Sequence, residues 1–187
     1  MPQRCTPLVA VIVALGLVGA ATARADQNDP RLDDLFEELQ DAASPVVARS
    51  VEAEIWSIWL EVDDRAVRLD LVRGIRAMRV GRLAEAEAAF DRAIRRRPDF
   101  AEAWNKRATV RFMAGKLAGS VADIGATLSL EPRHFGALSG LGMIYDRLDD
   151  PQAALRSYEA ALALHPHLAG PRARVEELRD RLDGAPI

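Results

Sequence analysis

The chain has 187 residues, 28% of them charged, a formal net charge of −3 at neutral pH and a single cysteine, Cys5. The mildly acidic balance argues against nucleic acid or an anionic membrane as the main partner, because both favour a basic protein surface. One cysteine can form no disulfide within the chain and cannot supply a cysteine-rich metal site.

The first 25 residues have the order of a secretory leader. Arg4 precedes an apolar run from Leu8 to about Ala21, and Ala23-Arg24-Ala25 offers small residues at a cleavage position. This order predicts removal of residues 1–25 and a mature chain that begins at Asp26. The alternative is a retained membrane anchor, since a spanning helix needs about 20 apolar residues and no charge interrupts the run. We expect export to the periplasm of a Gram-negative bacterium, without stable membrane insertion after cleavage.

Two helices are predicted within residues 26–66. Asp29-Pro30 is typical of a helix start, and Ser44-Pro45 starts a second helix that runs to about Val62. Apolar residues recur at helical spacing in both segments, and Trp56 lies beside the second stripe. We interpret the pair as a degenerate repeat or an amino-terminal cap. The two stripes are Leu32, Leu35, Phe36 and Leu39, and then Val51, Ile55, Trp59 and Val62.

Three prolines, Pro98, Pro132 and Pro166, stand 34 residues apart, which indicates one supersecondary unit present three times. Small and aromatic residues recur with the same period. They are Gly74, Gly81, Ala86, Phe90 and Ala93 in the first unit; Trp104, Ala108 and Gly115 in the second, with Ser120, Ile124 and Thr127 in the places of Ala86, Phe90 and Ala93; and Leu141, Gly142, Tyr145, Ala154, Tyr158 and Ala161 in the third. Over about residues 67–168 this pattern resembles the tetratricopeptide repeat family.

The resemblance implies an all-α solenoid of helix–turn–helix units, at residues 67–100, 101–134 and 135–168. Gly81 and Gly115 relax the turn inside the first two units. The third unit has Asp149-Asp150-Pro151 there, so we expect Asp150 to cap the next helix, Pro151 to take its first position, and the same turn to be built by other means. Residues 169–187 are predicted to form a carboxy-terminal capping helix and tail.

In the tetratricopeptide family the first helices of the units form a concave groove that holds a peptide or a helix of a partner protein. Transferring the inward positions to this chain predicts a partner-binding surface. Methionine there adapts to varied side chains, Asn105 can hydrogen-bond a peptide backbone, and Lys106 or Arg147 can pair with a carboxylate. The candidate residues are Arg79, Asn105, Lys106, Thr109, Phe112, Met113, Met143 and Arg147.

Two features of this groove need separate consideration. The amino-terminal helices either leave it open or fold back into it, and we expect an open groove that a partner covers. The two-carboxylate clamp with which some family members hold acidic chaperone tails is absent. Its outer positions hold apolar or small residues here, and its middle position is Lys106. The outer residues are Leu71, Ile75, Gly136 and Gly140.

Three other segments carry weaker signals. His165-Pro166-His167 could ligate zinc or copper, but it lies at a turn without a nearby carboxylate cluster, so we favour a structural role. Arg95–Arg97 closes a helix, where cations complement the helix dipole, which favours a structural role over nucleic-acid binding. The segment Glu131–Gly136 is dense in polar and aromatic residues, and it is either a docking site or a structural ion-pair corner.

These observations predict an exported scaffold or adaptor that binds a protein partner and uses no metal or cofactor. Resemblance to small exported family members suggests envelope assembly as its setting. We expect no enzymatic activity, because no motif brings serine, histidine and carboxylate groups together. The alternative is a self-associating structural protein, a homodimer in which the helix with Trp56 and Trp59 pairs between chains.

Overall fold

The computed structural model describes residues 26–184, and the predicted leader lies outside them. The described residues form nine α-helices and no β-strand, which confirms the predicted all-α class. None of these nine helices is long and apolar enough to cross a membrane. The helices are α1 Arg31–Gln40, α2 Pro45–Leu60, α3 Arg65–Arg79, α4 Leu83–Arg96, α5 Ala101–Met113, α6 Leu117–Leu130, α7 Phe135–Arg147, α8 Pro151–Leu164 and α9 Ala169–Asp183.

Helices α3 to α8 form three packed pairs, and the turn inside each pair has the same backbone conformation. Gly81 and Gly115 have φ angles of 74°, and Asp149, one repeat further on, has φ of 57°. The third unit thus builds the same turn with other residues, as predicted, because an aspartate can adopt the left-handed region where the other units use glycine. Asp150 caps α8 as predicted, since its Oδ1 accepts a hydrogen bond from the Ala153 N–H at 2.9 Å.

Glycine is required where the two helices of a pair cross. A Cβ atom added at Gly74 would lie 2.6 Å from the Phe90 ring, and one at Gly142 would lie 2.5 Å from the Tyr158 ring. Such distances are far inside van der Waals contact, so any larger residue would push the helices apart. The periodic small and aromatic residues of the sequence thus pack directly on one another.

A buried ion cluster joins the first and second units. Asp123 is 1% exposed. Its two oxygens accept from Arg107 at 2.9 and 2.7 Å and from Arg111 at 3.0 Å. The same arginines reach back to α4, where Arg107 binds Asp91 at 2.5 Å and Arg111 binds Glu87 at 2.9 Å. We call these five residues the arginine–aspartate cluster; it ties α4, α5 and α6 together.

Glu87 should make this part of the fold sensitive to acid. Hydrogen bonds from Lys116 and Arg111 hold the pKa of Glu87 below its ordinary value near 4.5. The stability from these bonds is therefore present above the unfolded pKa and is lost as the pH falls through the lowered folded pKa. We expect Glu87→Gln to lower the urea midpoint at pH 7 but to lose less further stability than the wild type between about pH 5 and pH 3. The exposed Glu85→Gln is the control; equal pH dependence in all three proteins would contradict the prediction.

The amino-terminal pair does not stack on the end of the repeat array. Among the helices, α3 packs on α4 and α5, whereas α1 contacts α8 and α2 contacts α5. Asp26 pairs with Arg97 at 3.2 Å, and the Gln27 side chain accepts from the Ala101 N–H at 3.3 Å. The pair thus lies across the turns that join successive units. The interpretation of this pair as an amino-terminal cap does not agree with this placement.

Candidate functional site

The first helices of the three units present equivalent residues on one surface, which we call the groove surface. Arg79, Met113 and Arg147 are one repeat apart along α3, α5 and α7, near the carboxy-terminal end of each helix. Thr109 and Met143 form part of a second row, one turn earlier on α5 and α7. The predicted partner-binding residues therefore come from equivalent positions of successive units.

Helix α2 covers the amino-terminal part of this surface. The Trp56 ring lies against Gly136, where an added Cβ atom would come within 2.8 Å of it. The Lys106 ammonium lies 4.9 Å from the centroid of the Trp56 indole, a cation–π contact. The expectation of a fully open groove is therefore wrong. The chain's own second helix occupies the groove surface at the first turns of α5 and α7.

An aromatic cluster holds the amino-terminal pair in place. Trp59 is 1% exposed, and its ring stacks on His134 with 4.2 Å between centroids and 12° between planes. Phe135 lies 5.2 Å from Trp59, and Phe36 of α1 lies 6.0 Å from it. We call these four residues together with Trp56 the docking cluster. Aromatic pairs at such distances add stabilisation beyond the area that they bury.

Two hydrogen bonds orient the His134 imidazole and select one of its tautomers. Its Nδ1 accepts from the Ala137 N–H at 3.1 Å, capping α7. Its Nε2 therefore carries the proton and donates to Oε2 of Glu102 at 3.0 Å. The ring is fully buried. These two bonds fix the imidazole plane against which Trp59 stacks.

Glu102 is the polar centre beneath the pair. Burial would raise the pKa of this carboxyl, but the Lys106 ammonium and His134 hold the pKa below its ordinary value. Lys106 Nζ lies 2.6 Å from Glu102 Oε1, and the Asn105 amide donates to Oε2 at 2.9 Å. Asn105 is buried, and the Lys106 side chain is largely so. Both side chains thus bind within the chain, and neither is free for a partner in this conformation.

The segment Glu131–Gly136 combines the two roles left open by the sequence. His134 and Phe135 dock the amino-terminal pair. Glu131, 2% exposed, accepts from the Arg133 side chain at 3.3 Å, and Arg133 also reaches Asp33 of α1 at 2.7 Å. The segment is therefore a docking site for the chain's own helices, braced by an ion-pair corner.

The two histidines of the last junction also contact the pair. His165 Nδ1 accepts from the His167 N–H, so Nε2 carries the proton and faces Glu52 of α2 at 3.3 Å. His167 Nε2 donates to the Ala42 carbonyl at 2.9 Å. Within residues 26–184 no three potential metal ligands come together. These contacts give both imidazoles a structural role.

The predicted alternative, pairing of chains through the helix that carries Trp56 and Trp59, does not agree with the structure. Trp59 is buried against His134 and Phe135 of its own chain. Trp56 is half-buried, and its Nε1 donates to Glu52 at 3.2 Å. In this structure the aromatic stripe instead joins two parts of one molecule.

The carboxy-terminal part of the groove surface remains uncovered. Met113 and Met143 are each 48% exposed. The Arg147 guanidinium lies 5.7 Å from the centroid of Phe112. A cleft of about 180 Å³ opens between α5 and α7, with Phe112 and Met143 among its lining residues. We call this area the open half-groove; its residues are Arg79, Thr109, Phe112, Met113, Met143 and Arg147.

Sequence reasoning missed the roles of Glu102 and Trp59 in intramolecular docking. A signal was present, because the apolar stripe of α2 and the polar–aromatic segment Glu131–Gly136 each indicate a surface that packs against something else. Neither pattern indicates that the two segments pack against each other. Residues so far apart in the sequence can be matched only once the chain has folded.

Comparisons with known proteins agree with the repeat register. Models of the tetratricopeptide repeat match residues 71–128 and 135–168. A TPR repeat-containing protein of Rhizobium etli is 35% identical over 154 residues, which cover 82% of this chain and 76% of that protein.

Solved structures share the fold at low sequence identity. The first TPR of Spaghetti (RPAP3), bound to an HSP90 peptide, has a TM-score of 0.62 at 20% identity and covers 66% of this chain and 98% of its own. MamA has a TM-score of 0.60 at 16% identity and covers 79% and 84%. The three helical pairs, their common register and the Rhizobium relative together establish that this chain belongs to the tetratricopeptide repeat family.

Proposed function

We propose that this protein is an exported scaffold that binds a segment of a protein partner in the open half-groove. The observation that carries the proposal is the exposure of Met113 and Met143 beside Arg147, which makes no ion pair within the described residues. Exposed methionines suit an adaptable binding surface, and the guanidinium beside them can bind a carboxylate of the partner.

The chemistry of the open half-groove indicates what kind of segment fits. The cleft between α5 and α7 can take one apolar side chain from the partner. Arg147 lies over Phe112, which leaves guanidinium N–H groups available for a carboxylate. Arg79 stands at the other end of the same row. A segment with an apolar side chain flanked by acidic residues satisfies all three features.

The repeat fold and the predicted leader support a role as an exported peptide-binding scaffold. The RPAP3 domain binds a peptide of HSP90, and the TPR2B domain of yeast Sti1 forms a complex with pHsp70, so the fold supports peptide binding. Proteins of this family are typically scaffolds without catalytic activity, and nothing in the groove surface points to catalysis. The predicted leader motivates a periplasmic location, and family analogy motivates a role in envelope assembly.

A pull-down from envelope extract tests the proposal. We expect the Met113→Glu/Met143→Glu variant to lose the specific partner. The two new carboxylates would repel the acidic residues of the bound segment, and burying them against its apolar side chain would cost free energy. The control is Ala88→Glu/Ala122→Glu, which adds the same charge at exposed positions of α4 and α6. Recovery of the bait from the periplasm with Asp26 as its first residue tests export.

Comparison of the three baits shows whether the partner binds in the open half-groove or elsewhere on the protein. Proteins retained by the wild type and the control but lost from the groove variant would support binding in the open half-groove. Retention of the same proteins by all three baits would contradict it. Circular dichroism of each bait establishes that the substitutions leave the helices intact.

A further inference from the structure

The first unit presents a second surface that nothing in the described chain covers. Because the amino-terminal pair folds across the turns, the outer side of α3 is left bare. Leu69 is 47%, Val72 49% and Val80 61% exposed. Two shallow hollows of about 190 and 320 Å³ flank Arg76 on this side. We call Leu69, Arg73 and Arg76 the end face. Val80 adjoins it, but Leu148, its equivalent in the third unit, is 54% exposed as well, so the exposure of Val80 is not specific to the first unit.

The repeat register shows that this face is built to receive a helix. Leu69 and Arg76 are exposed, but their equivalents in the next two units are at most 1% exposed. In those units the same side of the first helix packs on the second helix of the preceding unit. Helix α5 thus packs on α4, and α7 packs on α6. Of the three first helices, α3, α5 and α7, only α3 has no repeat helix packed on this side, and that uncovered side is the end face. The buried equivalents are Ala103 and Ala137 for Leu69, and Val110 and Ile144 for Arg76.

The charges of the end face indicate the chemistry of the missing helix. Arg73 is the equivalent of Arg107, which binds Asp91 of the preceding helix at 2.5 Å. On α3 the corresponding acid is missing, and Arg73 lies 3.9 Å from the buried Asp70 of its own helix. Arg76 makes no ion pair with any described residue. Helix α3 has five arginines and one acidic residue, so its occupant must supply carboxylates.

We propose that the end face binds an acidic amphipathic α-helix of a partner protein, in the place that α4 has beside α5. The apolar side of that helix covers Leu69 and the aliphatic parts of Arg73 and Arg76, and its acidic residues face the two guanidinium groups. A symmetric dimer through this face would instead bring the arginines of two chains together, which charge repulsion disfavours. This surface adjoins the open half-groove at Arg79, which lines one of the two hollows, but none of its own residues belongs to that groove.

A peptide derived from α4 provides a matched probe. The acidic probe is residues 83–96 with Arg92→Gln, Arg95→Gln and Arg96→Gln, so that its charges are Glu85, Glu87 and Asp91. The basic probe has these three acids changed to lysine as well. Both are acetylated, amidated and labelled for fluorescence polarisation. We expect the acidic probe to bind the full protein about tenfold more tightly, because its carboxylates attract Arg73 and Arg76, whereas the lysines of the basic probe repel them.

Variants of the protein locate the binding. Arg76→Glu and Leu69→Glu should each weaken the acidic probe about fivefold or more, through charge reversal and through loss of apolar contact. Arg95→Glu, an equal charge change on the exposed side of α4, should leave it unchanged. Met113→Glu/Met143→Glu should also leave it unchanged, which distinguishes this surface from the proposed partner groove.

Several results would overturn the proposal. They are absence of binding by the acidic probe, equal affinity for the two probes, or unchanged affinity in both end-face variants. Loss of binding in the groove variant would place the probe in the open half-groove instead. Concentration-dependent dimers in sedimentation that Arg76→Glu dissociates would identify the occupant as a second copy, and would equally show the proposal to be wrong.

Discussion

Replacing Trp59 with alanine is expected to destabilise the docking of the amino-terminal pair by about 3–5 kcal/mol, the usual cost of removing a buried tryptophan. The ring is 1% exposed, stacks on His134 and contacts Phe36 and Phe135. Its indole N–H has no hydrogen-bond acceptor within the described residues. Stacking and apolar contact therefore supply the stabilisation, and alanine can replace neither.

The loss of stability should be confined to the amino-terminal pair and should leave the repeats stable. The apolar cores of the three units contain no residue from α1 or α2. We therefore expect urea unfolding of Trp59→Ala, followed by circular dichroism, to show an early transition for the pair before that of the repeats. Trypsin should cleave after Arg49 of α2 at urea concentrations that leave the wild type intact there.

Trp104→Ala is the matched control, since it removes a tryptophan from α5 outside the docking cluster. Trp104 donates to the Pro98 carbonyl at 2.9 Å, and the Arg107 guanidinium lies 4.8 Å from its ring centroid. This variant should weaken the repeats without early cleavage at Arg49. Equal protection of Arg49 in wild type and Trp59→Ala would show that the docking cluster does not hold the pair.

The docking of the pair has a consequence for binding. Detachment would expose Gly136 and free Lys106 from the Trp56 ring, which extends the open half-groove toward the first turns of α5 and α7. The amino-terminal pair is thus an internal occupant of part of the groove surface. A partner that bound the whole groove would have to displace it.

The repeats could be predicted from the sequence because their determinants are local and periodic. The glycines at the helix crossings are needed for contact with Phe90 and Tyr158 in the same unit. The turn glycines recur at the same step, and Asp149 takes their place in the third unit. Its backbone conformation follows from its position in the repeat, as expected for the same turn built with other residues.

The placement of the amino-terminal pair could not be predicted in this way. The stripe of α2 shows that one side of the helix is buried, but periodicity does not say against what. The decisive contacts join Trp59 to His134 and Glu52 to His165, across long stretches of sequence. For the same reason Asn105 and Lys106 were assigned to a partner, although the structure engages them with Glu102.

Asp123→Asn is expected to destabilise the repeats themselves, by about 3 kcal/mol or more, because it leaves two largely buried arginines without their shared carboxylate. Asp123 is held by Arg107 and Arg111, whose side chains are only 13% and 22% exposed. The amide keeps the shape of the carboxylate but carries no charge, and its NH₂ group would place hydrogen-bond donors against the donor N–H groups of the arginines. The urea midpoint at pH 7 should fall accordingly.

The matched control for this prediction is Asp91→Asn. Asp91 binds the same Arg107, but its side chain is 33% exposed, so water can replace the lost carboxylate. We expect a cost of about 1 kcal/mol or less for this exposed partner. Equal midpoints for the two variants would show that burial does not set the strength of the cluster. A larger loss in Asp123→Asn would mean that one buried carboxylate couples the first unit to the second.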